Sequence, residues 1–365
     1  MIGKKILILL GVLSIVPWIK NFCGENTSVS PYSEIKFSSG ENIVVFAPHP
    51  DDEIIGCAGI IQECLKKQGT VHVIYLTNGD HNQFAFKAYE RKLILTPSDY
   101  LKMGEVRRKE STKATQICGV PAENLIFLGY PDFGTLHMWR DYWNSRKPFR
   151  NFFTRVDYVP YKDNPTYGNA YIPENIKLDI IKNLKRIKPT KIFVSHPSDL
   201  NPDHRALFNF VQLALLDCKD LSSPEVYCYL VHVKKWPSPE GLFPEYSLVP
   251  PVELEKKNSW VFFNLSSSQK QHKLLALDCF KSQLIGRKNW TFSFLRTNEI
   301  FQKIPIFVFK KNAKSEFSIE ATAQDEVVEE ESLKHSKVYN LKLTYDQNNL
   351  IFDLMFDRKV IEKEF

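Results

Sequence analysis

The apolar positions of this chain fall into short unbroken runs separated by segments of helical spacing. Ile43-Val44-Val45-Phe46-Ala47 is one such run, rich in β-branched residues, and it predicts a strand buried on both faces. Helical spacing follows at Ile60, Ile61, Cys64 and Leu65, with Gly69 expected as the cap. Val71–Leu76, Leu125–Leu128 and Ile192–Ser195 predict three further strands. Helices are expected over Leu101–Cys118, ended by Gly119, over Glu174–Ile187, stopped by Pro189, and over His204–Leu216. This alternation predicts an α/β fold, a Rossmann-like, mostly parallel sheet with helices on both faces. Chemistry in such sheets sits on loops beyond the carboxyl ends of the strands.

The pattern breaks twice. Between Asp132 and Pro173 there is no clear period, yet ten aromatic residues lie between Trp139 and Tyr171. That is long for a passive connection. It reads either as a substrate-facing insertion or as a private packing subdomain. After Asn312 the chain turns acidic, then offers a hairpin, Val338–Tyr345 and Leu350–Phe356, expected as a small β appendage.

At the other end, Lys4-Lys5 precede an apolar run from Ile6 to Ile19. This matches a secretory signal and is short for a full membrane span. No small-x-small cleavage site follows, so an uncleaved anchor is the other option. Either way the main portion is expected outside the cytoplasm, with membrane association possible through this segment. The layout is then residues 1–23 as signal or anchor, 24–41 as linker, 42–312 as the main domain and 313–365 as acidic linker plus hairpin.

Composition narrows the function classes. With 43% hydrophobic and 25% charged residues the chain is ordinary globular protein, not disordered, collagen-like or polytopic. The net charge of +6 divides unevenly: residues from Ala313 onward carry 12 acids against 7 bases, which leaves a surplus of 11 positive charges before them. No long Lys/Arg stripe accompanies that surplus, so a nucleic-acid partner is not expected. The seven cysteines form no CxxC pair, which argues against a cysteine-based zinc site.

Two polar clusters carry the chemistry. Pro48-His49-Pro50-Asp51-Asp52-Glu53 follows the first predicted strand and packs one imidazole and three carboxylates into five residues. Adjacent carboxylates repel one another unless a cation neutralises them. Asn201-Pro202-Asp203-His204, preceded by His196 and Asp199, follows the fourth strand. Two histidines and one aspartate suffice for a mononuclear zinc site with an open position for water. A neighbouring carboxylate could take that water's proton, although spacing alone does not say which acid binds and which acts as base. No GxGxxG follows the first strand, which disfavours a dinucleotide-binding dehydrogenase.

Ala47-Pro48-His49-Pro50-Asp51-Asp52-Glu53 with Gly56 resembles the first motif of the PIG-L/LmbE-like family of zinc-dependent N-acetylglucosaminyl deacetylases, and Asn201-Pro202-Asp203-His204-Arg205-Ala206 resembles the second. Arg107-Arg108-Lys109-Glu110 with Gly119, the loop Gly129-Tyr130-Pro131-Asp132, and the stretch from Lys273 to Ser282-Gln283 are similar to intervening and C-terminal family segments. The resemblance spans about Ile43 to Gln283. It implies one Zn2+ per chain on His49, Asp52 and His204, with Asp51 as general base. It implies that Arg107 and Asp132 contact the sugar or its leaving side. Asp80, after the second strand, is a weaker substrate-side candidate. Glu53 and Asp203 would stand behind the ligands and orient them. Many members have His where this chain has Asn201, a residue that can donate a hydrogen bond to an oxyanion but supplies no proton at neutral pH. Asp51 would then return its own proton to the amine. His196 reads either as a spatial substitute or as a strand-end histidine satisfied by its neighbours.

The expected activity is hydrolytic deacetylation of an N-acetylated amino sugar, a GlcNAc-type glycan or glycoconjugate, with the aromatic insertion stacking on pyranose faces. The alternatives are a zinc amidase acting on a non-sugar amide and a non-catalytic glycan-binding protein.

Overall fold

The computed structural model describes residues 33–218, 221, 223–255, 260–304, 315–320, 338–346 and 349–356. The expected signal or anchor segment and the acidic run Glu329–Glu331 lie outside these. In chain order the first elements are β1 (Ser33–Glu34), β2 (Asn42–Ala47), α1 (Asp52–Lys66), β3 (Thr70–Thr77), α2 (Gln83–Glu90), α3 (Pro97–Ile117) and β4 (Leu125–Tyr130). Then come α4 (Thr135–Asp141), α5 (Pro173–Ile187), β5 (Lys191–Ser195), α6 (Pro202–Asp217), β6 (Glu225–Tyr229), α7 (Val252–Glu255) and β7 (Trp260–Asn264). The last are α8 (Ser267–Leu277), α9 (Lys281–Leu284), α10 (Lys288–Phe292), β8 (Asn298–Ile304), β9 (Ser315–Glu320), β10 (Val338–Asp346) and β11 (Asn349–Phe356).

The main sheet has eight strands in the order β1-β7-β8-β6-β5-β2-β3-β4. Its centre, from β4 through β3, β2 and β5 to β6, is parallel. β8 runs antiparallel to β6 and to β7. The chain winds outward from β2 through β3 to β4, then returns to the other side of β2 with β5. This reversal leaves a crevice at the carboxyl ends of β2 and β5, the place where such sheets bind ligands. The α/β expectation holds, and the antiparallel strands β7 and β8 extend it. β6, β7 and β8 were not anticipated, because Val226–Tyr229 and Ile300–Phe301 are too short to separate from loop by pattern alone.

β2, β3 and β5 are almost wholly buried, which is why they read as continuous apolar runs. On one face α5 lays Ile176, Ile180, Leu184 and Ile187 against the sheet, a single stripe at helical spacing. Truncating one of these to Ala removes buried methyl groups at a cost of about 2–5 kcal/mol. Two glycines let α1 pack closely. A Cβ at Gly56 would lie 2.5 Å from the Tyr229 ring, and one at Gly59 would lie 2.9 Å from the Glu299 carboxylate.

Three expectations need correction. Gly69 does not cap α1; Gln68 takes the left-handed conformation, and a Cβ at Gly69 would strike the Glu41 carbonyl. Residues 34–41 are not mere linker, since Ile35 is buried and donates to the Phe262 carbonyl, and Phe37 packs on Phe193 and Phe263. The aromatic segment between Asp132 and Pro173 is mostly packing. Trp139 and Trp143 lie against Phe210 of α6, while Tyr161 and Tyr171 are buried in the main core. Towards the C-terminus, β10 and β11 pair antiparallel, and β9 pairs with β10 to make a three-stranded sheet.

Candidate active site

β2 ends at Ala47, and α1 starts at Asp52, so Pro48–Asp51 must turn within four residues. Asp51 absorbs the turn at φ 135°, a strained conformation for a non-glycine residue. On the other side of the crevice β5 ends at Ser195, and the loop after it delivers His204 on the first turn of α6. The two loops bring His49, Asp52 and His204 together, all buried. Asp52 Oδ2 lies 3.2 Å from His49 Nδ1 and 3.1 Å from His204 Nε2. The second of these pairs is not aligned as a hydrogen bond, and His204 Nε2 has no hydrogen-bond partner. Two donors held at about 2.0–2.2 Å by one tetrahedral ion sit about 3.3–3.5 Å apart. Both distances fall just short of that and the three donor atoms lie within 4.8 Å of one another, so a small outward shift of the donors would admit a zinc-type cation.

Charge makes the same point. Burial opposes ionisation of His204, yet Asp199 and Asp52 outweigh it and raise its pKa to about 9. Burial likewise opposes the charged form of His49, and Asp132, Asp203 and Asp52 hold it above its ordinary range. Buried carboxylates that outnumber buried cations call for positive charge. A divalent ion held by these donors would supply it.

Carboxylates also stand beside the ring nitrogens that face away from this centre. His204 Nδ1 lies 3.1 Å from Asp199 Oδ2, although, like Nε2, it is not aligned as a hydrogen bond. Asp199 in turn accepts from the backbone N–H groups of Asn201, Val231 and His232. His49 Nε2 lies 3.2 Å from Asp132 Oδ1 and 3.3 Å from Asp203 Oδ2. Asp203 accepts from the Phe133 and Thr135 N–H groups and the Thr135 hydroxyl. Carboxylates behind ligating histidines fix ring orientation and tautomer.

Asp51 points elsewhere. Its carboxylate accepts from Arg107 Nη2 at 3.0 Å, and its backbone N–H donates to Glu53 Oε2 at 2.9 Å. Burial pushes the Asp51 carboxyl up to about 6, against the pull of Arg107 and with the push of Asp52. Burial pushes Glu53 up to about 8, partly offset by the Ser111 hydroxyl and the Asp51 N–H.

A cavity of about 260 Å3 opens over these groups, lined by His49, Asp51, Asp52, Arg107, Asp132 and Asn201 among others. It is smaller than the ~300–1,000 Å3 typical of pockets for drug-sized ligands, and so suits one end of a substrate. Asn201 caps α6: its side-chain oxygen accepts from the Asp203 N–H at 2.9 Å. Its amide NH2 is left as the donor available to the cavity.

The sequence-derived assignments divide accordingly. His49, Asp51, Asp52, Asn201 and His204 converge, with Glu53 and Asp203 behind them. Arg107 and Asp132 line the cavity, but they spend polar atoms on the protein: Arg107 on Asp51 and the carbonyls of Pro50 and Gly79, Asp132 on His49 and the His81 N–H. Asp80 is not among the lining residues, because its carboxylate is buried and accepts the Tyr161 hydroxyl at 2.5 Å. His196 is also outside the cavity, where it pairs with Gln302 and stacks on Trp260. None of the ten aromatics between Trp139 and Tyr171 lines the cavity.

Sequence reading missed Asp199 as the partner of His204, and also missed a wall built from Arg287, Trp290 and His232. The Arg287 guanidinium lies 4.3 Å over the Trp290 ring, Trp290 stacks on His232, and His232 meets His204 edge-on. Burial pushes His232 down to about 4, despite Asp199. The available signal was a histidine three residues past a short apolar run at Val226–Tyr229, which is visible only once that run is known to be β6.

A glucosamine-6-phosphate deaminase-like protein of Bacteroides thetaiotaomicron is 25% identical over 213 residues, 54% of this chain; the match takes in only 30% of that relative. Among solved structures, the 4-carboxy-2-hydroxymuconate hydratase of Pseudomonas putida aligns at 15% identity and TM-score 0.46, covering 76% of this chain and 100% of that one. The N,N'-diacetylchitobiose deacetylase of Pyrococcus horikoshii aligns at 16% identity and TM-score 0.46, covering 73% and 84%. Residues 44–215, which hold both halves of the His49–Asp52–His204 cluster, match the GlcNAc-PI de-N-acetylase family, and the chain thus carries a PIG-L domain.

Proposed function

We propose that this chain hydrolyses the acetamide of an N-acetylated amino sugar, releasing acetate and a free amine. One observation carries the reading most: Asp51 lines the same cavity as His49 and Asp52 while directing its carboxylate at Arg107. A carboxylate beside the candidate ligands, with its pKa raised to about 6, suits a general base at neutral pH. The match of residues 44–215 to GlcNAc-PI de-N-acetylases supports an amino-sugar substrate.

His49, Asp52 and His204 would hold one Zn2+, which when bound would polarise the acetamide carbonyl and acidify a water. Asp51 takes the proton of the attacking water as its oxygen bonds to the carbonyl carbon. As the C–N bond breaks, Asp51 passes that proton to the departing nitrogen. Arg107 keeps the carboxylate oriented between these two transfers. The Asn201 NH2 donates to the oxygen that gains negative charge.

Acetate release from GlcNAc-bearing glycans and from simple N-acetyl amides, with and without chelator, tests this reading. Release confined to amino sugars and lost with chelator supports it. Turnover of simple amides alone would favour the non-sugar amidase, and no turnover with tight glycan binding would favour a lectin-like protein. We further propose, from Lys4-Lys5 and the apolar run to Ile19, that the domain works outside the cytoplasm; fractionation of the native cells tests this.

A further inference from the structure

Among the described residues, four large apolar side chains are 80% exposed or more: Phe84, Leu93, Ile94 and Phe152, at 80%, 91%, 81% and 81%. Isolated exposed hydrophobics need no explanation, but these four are not scattered. Phe84, Ile94 and Phe152 each stand one or two residues before a member of one small apolar cluster, and Leu93 adjoins Ile94. Phe86, Tyr100 and Met103 are buried in that cluster, with Leu95 and Phe153 packed on it. Phe84 lies two residues before Phe86, Ile94 directly before Leu95, and Phe152 directly before Phe153. Phe153 ties the segments together through its contacts with Tyr100 and His81.

Phe152 is held rather than loose. It sits on a turn closed by the Asn151 N–H to the Val156 carbonyl, and the Asn151 side chain accepts from the Phe153 and Thr154 N–H groups. Phe84 lies at the lip of the cavity with Phe133, itself about half exposed. The face is also strongly basic. Residues 84–94 and 146–155 hold seven basic side chains against one acid; Lys92 is paired with Asp99, while Arg91, Arg146, Lys147, Arg150 and Arg155 are exposed. The one acid, Glu90, is paired with Lys102.

We propose that this face docks on an anionic lipid bilayer, holding the cavity mouth at the membrane surface. Separate apolar tips ringed by Arg and Lys suit an interface where the tips enter the acyl boundary and the cations meet headgroup phosphates. A tip held on its turn, as Phe152 is, loses little conformational entropy on insertion. No helix of the described residues is long and apolar enough to cross a membrane, so this is contact with the surface rather than insertion through it. The docking does not depend on the deacetylase reading, and its test uses no activity.

Hydrogen exchange read by mass spectrometry on the full chain, with phosphatidylcholine vesicles and with vesicles also containing phosphatidylserine, locates any contact regardless of what the N-terminal segment does. Peptides over 83–95 and 146–156 should gain protection with phosphatidylserine vesicles and lose it as salt is raised. A Leu93→Glu, Ile94→Glu, Phe152→Glu protein should lose that protection and partition roughly tenfold less onto the same vesicles. Unchanged exchange of wild-type peptides on adding vesicles overturns the proposal without recourse to any variant. Protection already present without vesicles overturns it too: if it depends on protein concentration, a second copy covers the face, and if not, another segment of this chain does.

Discussion

Arg107 holds Asp51. One guanidinium nitrogen donates to Asp51 Oδ2 at 3.0 Å and to the Pro50 carbonyl at 2.8 Å, and the other donates to the Gly79 carbonyl at 3.0 Å. This contact ties the proposed base to the loops after β2 and β3. Asp51→Asn keeps the shape and removes the base, so it should leave metal content nearly intact and cut turnover roughly 10²–10⁴-fold. Arg107→Gln should move the rise of kcat/KM with pH. The cation favours ionised Asp51, so its loss raises the Asp51 pKa above about 6 and shifts the acidic limb to higher pH. An unshifted limb with lowered activity would mean that Arg107 serves the substrate alone.

That pairing also marks how far the sequence could be read. His49, Asp51, Asp52 and His204 were legible because each sits one short loop beyond a strand whose apolar run is unmistakable. Arg107 was legible as a site residue but not in its partner, since nothing in the pattern of α3 shows that its side chain reaches back to Asp51. His232 and Trp290 stayed hidden for a different reason. They hang from β6 and α10, short elements whose existence depends on tertiary packing rather than on local periodicity. The aromatic segment misled because ring content does not tell whether a ring faces a ligand or a neighbouring helix. Trp139 against Phe210 is the latter.

Metal content should follow the three converging donors. Elemental analysis of the purified protein should find about one divalent ion per chain, and His49→Ala or His204→Ala should lose most of it. Asp199→Asn leaves all three donors but weakens the carboxylate behind His204. It should lower metal affinity by about 10–100-fold in a competition titration. Full occupancy in His204→Ala would remove this residue from the centre.

Stability of α1 should depend on a pair that does not itself line the cavity. Lys273 Nζ lies 2.7 Å from Glu299 Oε1 and donates to the Ile55 carbonyl, while Glu299 accepts from the Gly59 and Ile60 N–H groups. Both side chains are almost fully buried. Lys273→Met leaves a buried carboxylate without its cation and should destabilise the fold by about 3–5 kcal/mol in denaturant unfolding. A loss below about 1 kcal/mol, the scale of exposed pairs, would show that the pair is not what pins the helix.

Asn201 serves two ends at once, and its variants should separate them. Its oxygen caps α6 and leaves its NH2 as the donor available to the cavity, so Asn201→Ala removes both. That protein should lose about 0.5–2 kcal/mol of stability from the cap and roughly 10–10³-fold in turnover from the donor. Asn201→Asp retains a good cap but presents an acceptor where charge develops, so stability should hold while turnover falls at least as far. Asn201→His places an imidazole at this position. His232 already lines the same cavity, and burial keeps it neutral at pH 7, so it can donate a hydrogen bond but not serve as an acid. If Asp51 handles both proton transfers, the added histidine changes the rate only modestly. His232→Ala, which removes a neutral donor, should then slow turnover without altering the pH profile. A large gain in Asn201→His, with a new ionisation near ~6.5, would show instead that the chemistry lacks a second proton carrier and that Asp51 does not suffice alone.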